Sequence, residues 1–169
     1  MTAPADLPPQ GPITEPELDS RLRDLLAYWR DKCASHGDGR RFPARADIDP
    51  LDLRSLLGNI NLIDVVRPDP ITGDMPIRFR YRLFGSEFVF YHGGDLTGVW
   101  VDEIPNPVYR EQLNALYMVV VNKGATPMVS YDYLLESRRH RFQAIILPLA
   151  SDGETVDMIL SSGLPVAVY

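Results

Sequence analysis

From Arg78 to Leu83 the chain alternates: Phe79, Tyr81 and Leu83 fall on one face, and Arg78, Arg80 and Arg82 on the other. A period of two predicts a half-buried strand. Gly85 ends it, and Ser86 is placed to cap a short aromatic helix carrying Phe88, Val89, Phe90 and Tyr91. Gly93-Gly94 stops that helix, because glycine takes positive φ at no steric cost. Upstream, Thr14 and Glu17 form a capping-box pattern, and Leu18, Leu22, Leu25, Leu26, Trp29 and Cys33 follow at helical spacing. This predicts an amphipathic helix from Glu15 to about Ser35. Asp49 and Pro50 open a second, two-turn helix holding Leu51, Leu53, Leu56 and Leu57, which Gly58 ends.

Residues 59–66 read as the first strand, antiparallel to the Arg78 strand across a turn-rich loop at 67–76. Asn106-Pro107 opens the longest helix, which runs to Lys123-Gly124 and carries Val108, Leu113, Leu116, Tyr117 and Val120. Tyr117 shares a face with Leu113, Leu116 and Val120 and is expected inside. Three strands follow, at about 127–136, 140–149 and 155–162. The middle one is apolar on both faces and is expected to be central. Residues 1–13 hold four prolines and little to bury, and read as a disordered tail. Residues 14–58 then form a helical extension, and 59–169 the core. Two hairpin groups separated by helices predict an α+β fold, one antiparallel sheet with helices on one face.

Composition narrows the function classes. A net charge of -6 over 169 residues opposes a general nucleic-acid or anionic-membrane binder. Cys33 is the one cysteine, so no internal disulfide forms and a reducing, cytoplasmic setting is expected. No stretch approaches the roughly 20 apolar residues of a membrane span. Cys33 lies on the apolar stripe and reads as a small buried hydrophobe.

Candidate chemistry is sparse. His36 is expected in solvent at a polar helix end, His92 at the close of the aromatic helix, and His140 on the surface in a basic hairpin. Asp95 with His92, or Asp132 with His140, would be needed as a base and its orienting partner, but neither pair has a catalytic motif around it. Arg78, Arg80 and Arg82 read either as an anion-holding row or as a solvated face that discourages edge-to-edge association. Phe88, Tyr91, Tyr117, Tyr131 and Tyr133 either line a mostly apolar small-molecule pocket or pack as ordinary core.

Ordered short pieces of the chain resemble a known family. They are Tyr28-Trp29, the run from Phe42 to Pro50, Leu56-Leu57, the run from Phe79 to Gly85, Leu96-Thr97-Gly98, and Leu147-Pro148-Leu149 before Asp152-Gly153. In this order they resemble a short stand-alone proteobacterial branch of the PAS superfamily. The resemblance implies a PAS-like five-stranded antiparallel sheet with an N-terminal amphipathic helix. It implies a sensory or interaction module rather than an enzyme, with output through a homodimer formed by residues 15–35 or through a signalling partner protein. No haem or flavin is expected as cofactor. The long helix lacks the histidine that haem-binding relatives use, and Cys33 precedes the core where flavin photochemistry needs its cysteine. The alternative, from a different class, is a small pocket enzyme of the ketosteroid-isomerase-like α+β cone. A buried, paired Asp or His at the pocket floor would favour it.

Overall fold

The computed structural model describes residues 9–35, 37–71, 73 and 75–169. His36 and residues 1–8, the greater part of the expected tail, lie outside the described residues. The elements are β1 (Pro9–Pro12), α1 (Ser20–Ala34), β2 (Ile60–Val66), β3 (Arg78–Leu83), α2 (Ser86–His92), α3 (Pro107–Lys123), β4 (Met128–Leu135), β5 (Arg138–Leu149) and β6 (Met158–Val168). Short 3-10 turns connect several of them. The six strands form one sheet in the order β1-β4-β5-β6-β2-β3, and every neighbouring pair is antiparallel.

The five expected strands are all present as β2 to β6, and β5 is interior to the sheet. The sixth, β1, corrects the reading of residues 9–12 as tail. Two prolines and a glycine disguise it, yet Gly11 pairs with Ser130 and Pro12 with Val129 at the free edge of β4. An edge strand tolerates proline, since half its backbone groups need no partner.

The expected helix over Glu15–Ser35 is divided. A 3-10 turn spans Glu15–Glu17, with the Glu17 carboxylate accepting from the Thr14 N–H (2.7 Å) and hydroxyl (2.6 Å). Leu18 is extended, and Asp19 caps α1 afresh by accepting from the Arg21 N–H. The expected two-turn helix after Pro50 is instead a 3-10 helix at Arg54–Asn59. Asp49 accepts from the Leu51 N–H in a local turn, so only Leu53 and Leu56 turn inward, while Leu51 and Leu57 face solvent. Ser86 lies in the first turn of α2, whose N-cap is Gly85. Gly85 must be glycine for space: a Cβ there would stand 2.4 Å from the Gly58 carbonyl oxygen. The β4–β5 hairpin turns on Glu136 and Ser137, both at positive φ, the two-residue turn that matches strand twist.

The two faces of the sheet are covered by different helices. Successive strand residues point to opposite faces. Gln143 of β5 meets the start of α1, its side chain accepting from the Asp19 N–H (2.6 Å) and donating to the Glu17 carbonyl (2.8 Å). Ala144 faces the other way, beside Gly163 and the Phe88 ring of α2. Leu22, Leu25, Leu26 and Trp29 of α1 are buried in the core, and the Trp29 indole donates to the Pro148 carbonyl at 2.9 Å. The stripe is thus buried against its own sheet within the one chain. The outer face of a twisted sheet carries Ile145, Leu147 and Leu149, none of them exposed, and α1 is what covers it.

Candidate functional site

On the opposite face, α3 stands away from the sheet and borders a cavity of ≈ 770 Å³ that is partly open to solvent. The local sequence explains the geometry. Asn106 caps α3 by accepting from the Tyr109 N–H, Pro107 presets its first turn, and Gly124 ends it in the left-handed region. Tyr109, Leu113 and Tyr117 then recur every four residues and project toward the sheet, with Leu116 beside them. The floor mixes apolar and uncharged polar side chains: Ala144 and Ile146 on β5, with Ser161 on β6 and Asn61 on β2. Small side chains on the central strands leave the room that large ones would fill.

Three of the five predicted site residues line this cavity: Phe88, Tyr117 and Tyr131. Tyr91 and Tyr133 do not. They belong to an aromatic cluster with Phe142 beside it, Tyr91 packing edge-on to Phe142 at 4.8 Å and to Tyr133 at 6.3 Å. The Tyr133 hydroxyl donates to the Tyr91 carbonyl, which holds α2 onto β4. Tyr131 links the two regions, stacked on Phe142 at 5.4 Å.

Tyr81 and Tyr109 are site residues that the sequence reading left out. The Tyr81 hydroxyl meets that of Tyr117 at 3.2 Å and lies beside that of Tyr109. The signal was there: period-two alternation puts Tyr81 on the inner face of β3, and Tyr109 sits eight residues before Tyr117 on α3. The Phe79 ring buttresses Tyr117 edge-on at 5.4 Å. Burial pushes Tyr109 up to about 12 and Tyr117, Tyr81 and Tyr131 well above the ordinary tyrosine value. These hydroxyls therefore stay neutral, as donors and acceptors, throughout the physiological range.

Linkage follows with a definite sign. The folded values lie above the unfolded value of 10.0, so the unfolded chain ionises first. The stability these groups contribute is complete below about pH 10 and is lost as pH rises toward the folded values. Tyrosinate absorbance is therefore expected to rise together with loss of circular dichroism in an alkaline titration. Full titration of all eight tyrosines near pH 10 in an intact fold would contradict this burial.

The remaining candidates lie elsewhere. Asp132 turns to the α1 face, where Arg141 donates to it. His140 pairs with Tyr133 and stands 5.9 Å from the Tyr91 ring. Opposite pleats thus separate the imagined Asp132–His140 pair, and His140 is half-buried rather than on the surface. Asp95 accepts from the Thr97 N–H at 2.8 Å, while His92 packs against Phe84 and Tyr109. Burial lowers the His92 pKa, favouring the neutral ring. The arginine row is paired by carboxylates: Arg78 with Asp102 at 2.6 Å, Arg82 with Asp64 at 2.7 Å and Arg80 with Asp64 at 3.5 Å. Arg78 also lies over the Trp100 ring at 4.1 Å. These partners answer the anion-holding reading. Among the described residues, no group of three or more His, Cys, Asp or Glu is placed to hold a metal, and no helix is long and apolar enough to cross a membrane.

A family model described as PAS domain matches residues 19–163. No curated protein and no solved structure matches the chain. The match runs from the cap of α1 into β6 and takes in β2 to β5, α2, α3 and the cavity floor. The chain belongs to the PAS domain family.

Proposed function

We propose that this PAS domain is a sensory module that receives a small, uncharged, mostly apolar molecule in the cavity between α3 and the sheet. The observation that carries the reading is the lining. Among the described residues it combines apolar side chains with tyrosine hydroxyls and the uncharged Asn61, Gln112, Thr126, Ser161 and Ser162, and no Asp, Glu, His, Lys or Arg lines it. Such a site suits an apolar body with one or two hydrogen-bonding groups, held at the Tyr81–Tyr117 end. An ionised ligand would enter without a counter-charge and bear the desolvation cost alone. The same absence of a paired Asp or His at the floor favours the module over a ketosteroid-isomerase-like enzyme, which needs a base there. Output passes to a partner protein, or to a second copy that meets a surface other than the α1 stripe. A cytoplasmic setting fits Cys33 as the one cysteine.

The test uses the neutral fluorescent probe N-phenyl-naphthylamine. The wild-type chain is expected to bind it saturably at one site. Ala144→Phe places a ring on the cavity floor and is expected to abolish binding while circular dichroism stays native. Leu116→Trp, from the α3 wall, supplies the same block independently. Undiminished binding in both folded variants would place the probe elsewhere and contradict the reading.

A further inference from the structure

We infer that β1 is a ligand-operated latch: a molecule in the cavity lies against β1, and its presence sets whether β1 stays docked on β4. This rests on the reading of the cavity as a receptor for a neutral apolar molecule. Gly11, Pro12 and Ile13 contribute directly to the cavity wall. The same segment is the shortest strand of the described sheet. It is four residues long, lies at the edge, and shifts register between Pro9 and Gly11. Pro9 and Pro12 have no N–H to donate. Gly11 sits at φ +129°, which L residues rarely adopt. A short edge strand so attached belongs to the low end of local stability.

The chain beyond it is pinned. Glu17 ties down Thr14, Glu15 pairs with Arg30 at 2.9 Å, and the Asp19 N–H is held by Gln143 on β5. Release therefore stops near residue 13, and β1 swings as a defined unit. A ligand touching the docked strand binds the docked form better, and by reciprocity its binding favours docking. With the ligand at a hundred times its Kd, the shift reaches about 100-fold if affinity rests wholly on the docked form. The domain then signals by releasing its N-terminal segment and baring the β4 backbone edge, a surface that accepts an extended strand.

The test is amide hydrogen exchange on the full chain, with and without N-phenyl-naphthylamine. The Ile13 amide donates to the Met128 carbonyl at 3.0 Å and reports docking. The Val65 amide, which donates to the Asp157 carbonyl at 3.0 Å, reports the far side of the sheet. Saturating probe is expected to slow Ile13 exchange by up to about 100-fold, and more than it slows Val65. The double variant Gly11→Val, Ile13→Asp is expected to bind the probe at least about tenfold more weakly. Bound probe with unchanged Ile13 exchange overturns the latch and leaves the receptor reading standing, as does wild-type affinity in the double variant. No saturable binding by the wild-type chain overturns both. Should the double variant fail to fold, exchange in the wild-type chain alone decides.

Discussion

Replacing Leu22 and Leu26 together by Asp should abolish folding. Both side chains are 0% exposed and lie in the core between α1 and the sheet. An unpaired carboxylate there costs several kcal/mol, and the two sit one helical turn apart and repel. The loss is comparable to the whole stability of an ordinary domain, roughly 5–15 kcal/mol. Circular dichroism should show loss of the native spectrum, with aggregation by light scattering. Recovery of a folded monomer from an associated wild type would instead make the stripe an interface between copies, contrary to the packing of Trp29 on Pro148.

Tyr117→Ala should cost about 3 kcal/mol, the low end for a large aromatic truncation. Tyr117 is 2% exposed, packs on Phe79 and shares a hydrogen bond with Tyr81. It also borders an existing cavity, so removing it loses contacts on the sheet side and enlarges a void on the other. Tyr117→Phe keeps the packing, removes only the hydroxyl, and should cost about 1 kcal/mol. Urea unfolding separates the two through the midpoint at constant slope. Equal losses for Ala and Phe would mean that packing on Phe79 contributes nothing, and would contradict the burial of this ring.

Much of this architecture was legible because local signals agreed. Asn106-Pro107 and Gly124 bound α3, and alternation from Arg78 to Leu83 placed Phe79 and Tyr81 inward. The misreadings have particular causes. Residues 9–12 lack hydrophobic alternation, and their pairing with β4 depends on an edge more than a hundred residues away. The leucines after Pro50 follow a helical period, but Asp49 bonds Leu51 locally, and the chain must enter β2 within ten residues. The stripe of α1 announced burial without naming its partner, since a sheet and a second copy demand the same residues.

The candidate site was half legible. Aromatic content marked α2, α3 and β4, and Phe88, Tyr117 and Tyr131 do meet at the cavity. The sequence held no means of separating them from Tyr91 and Tyr133, which sit toward the β4–β5 hairpin. That division depends on which cross-strand partner each ring finds, Phe142 above all. The cavity itself comes from what is small, Ala144 and Ser161, and small residues carry no periodic signal.

The most direct test of the receptor reading is mass spectrometry of small molecules released on denaturing the purified wild-type chain and its Ala144→Phe variant. The account predicts an uncharged, mostly apolar compound, at up to one per chain, released from the wild type and absent from the folded variant. A wild-type chain that releases nothing, or a compound retained equally by both proteins, would contradict it.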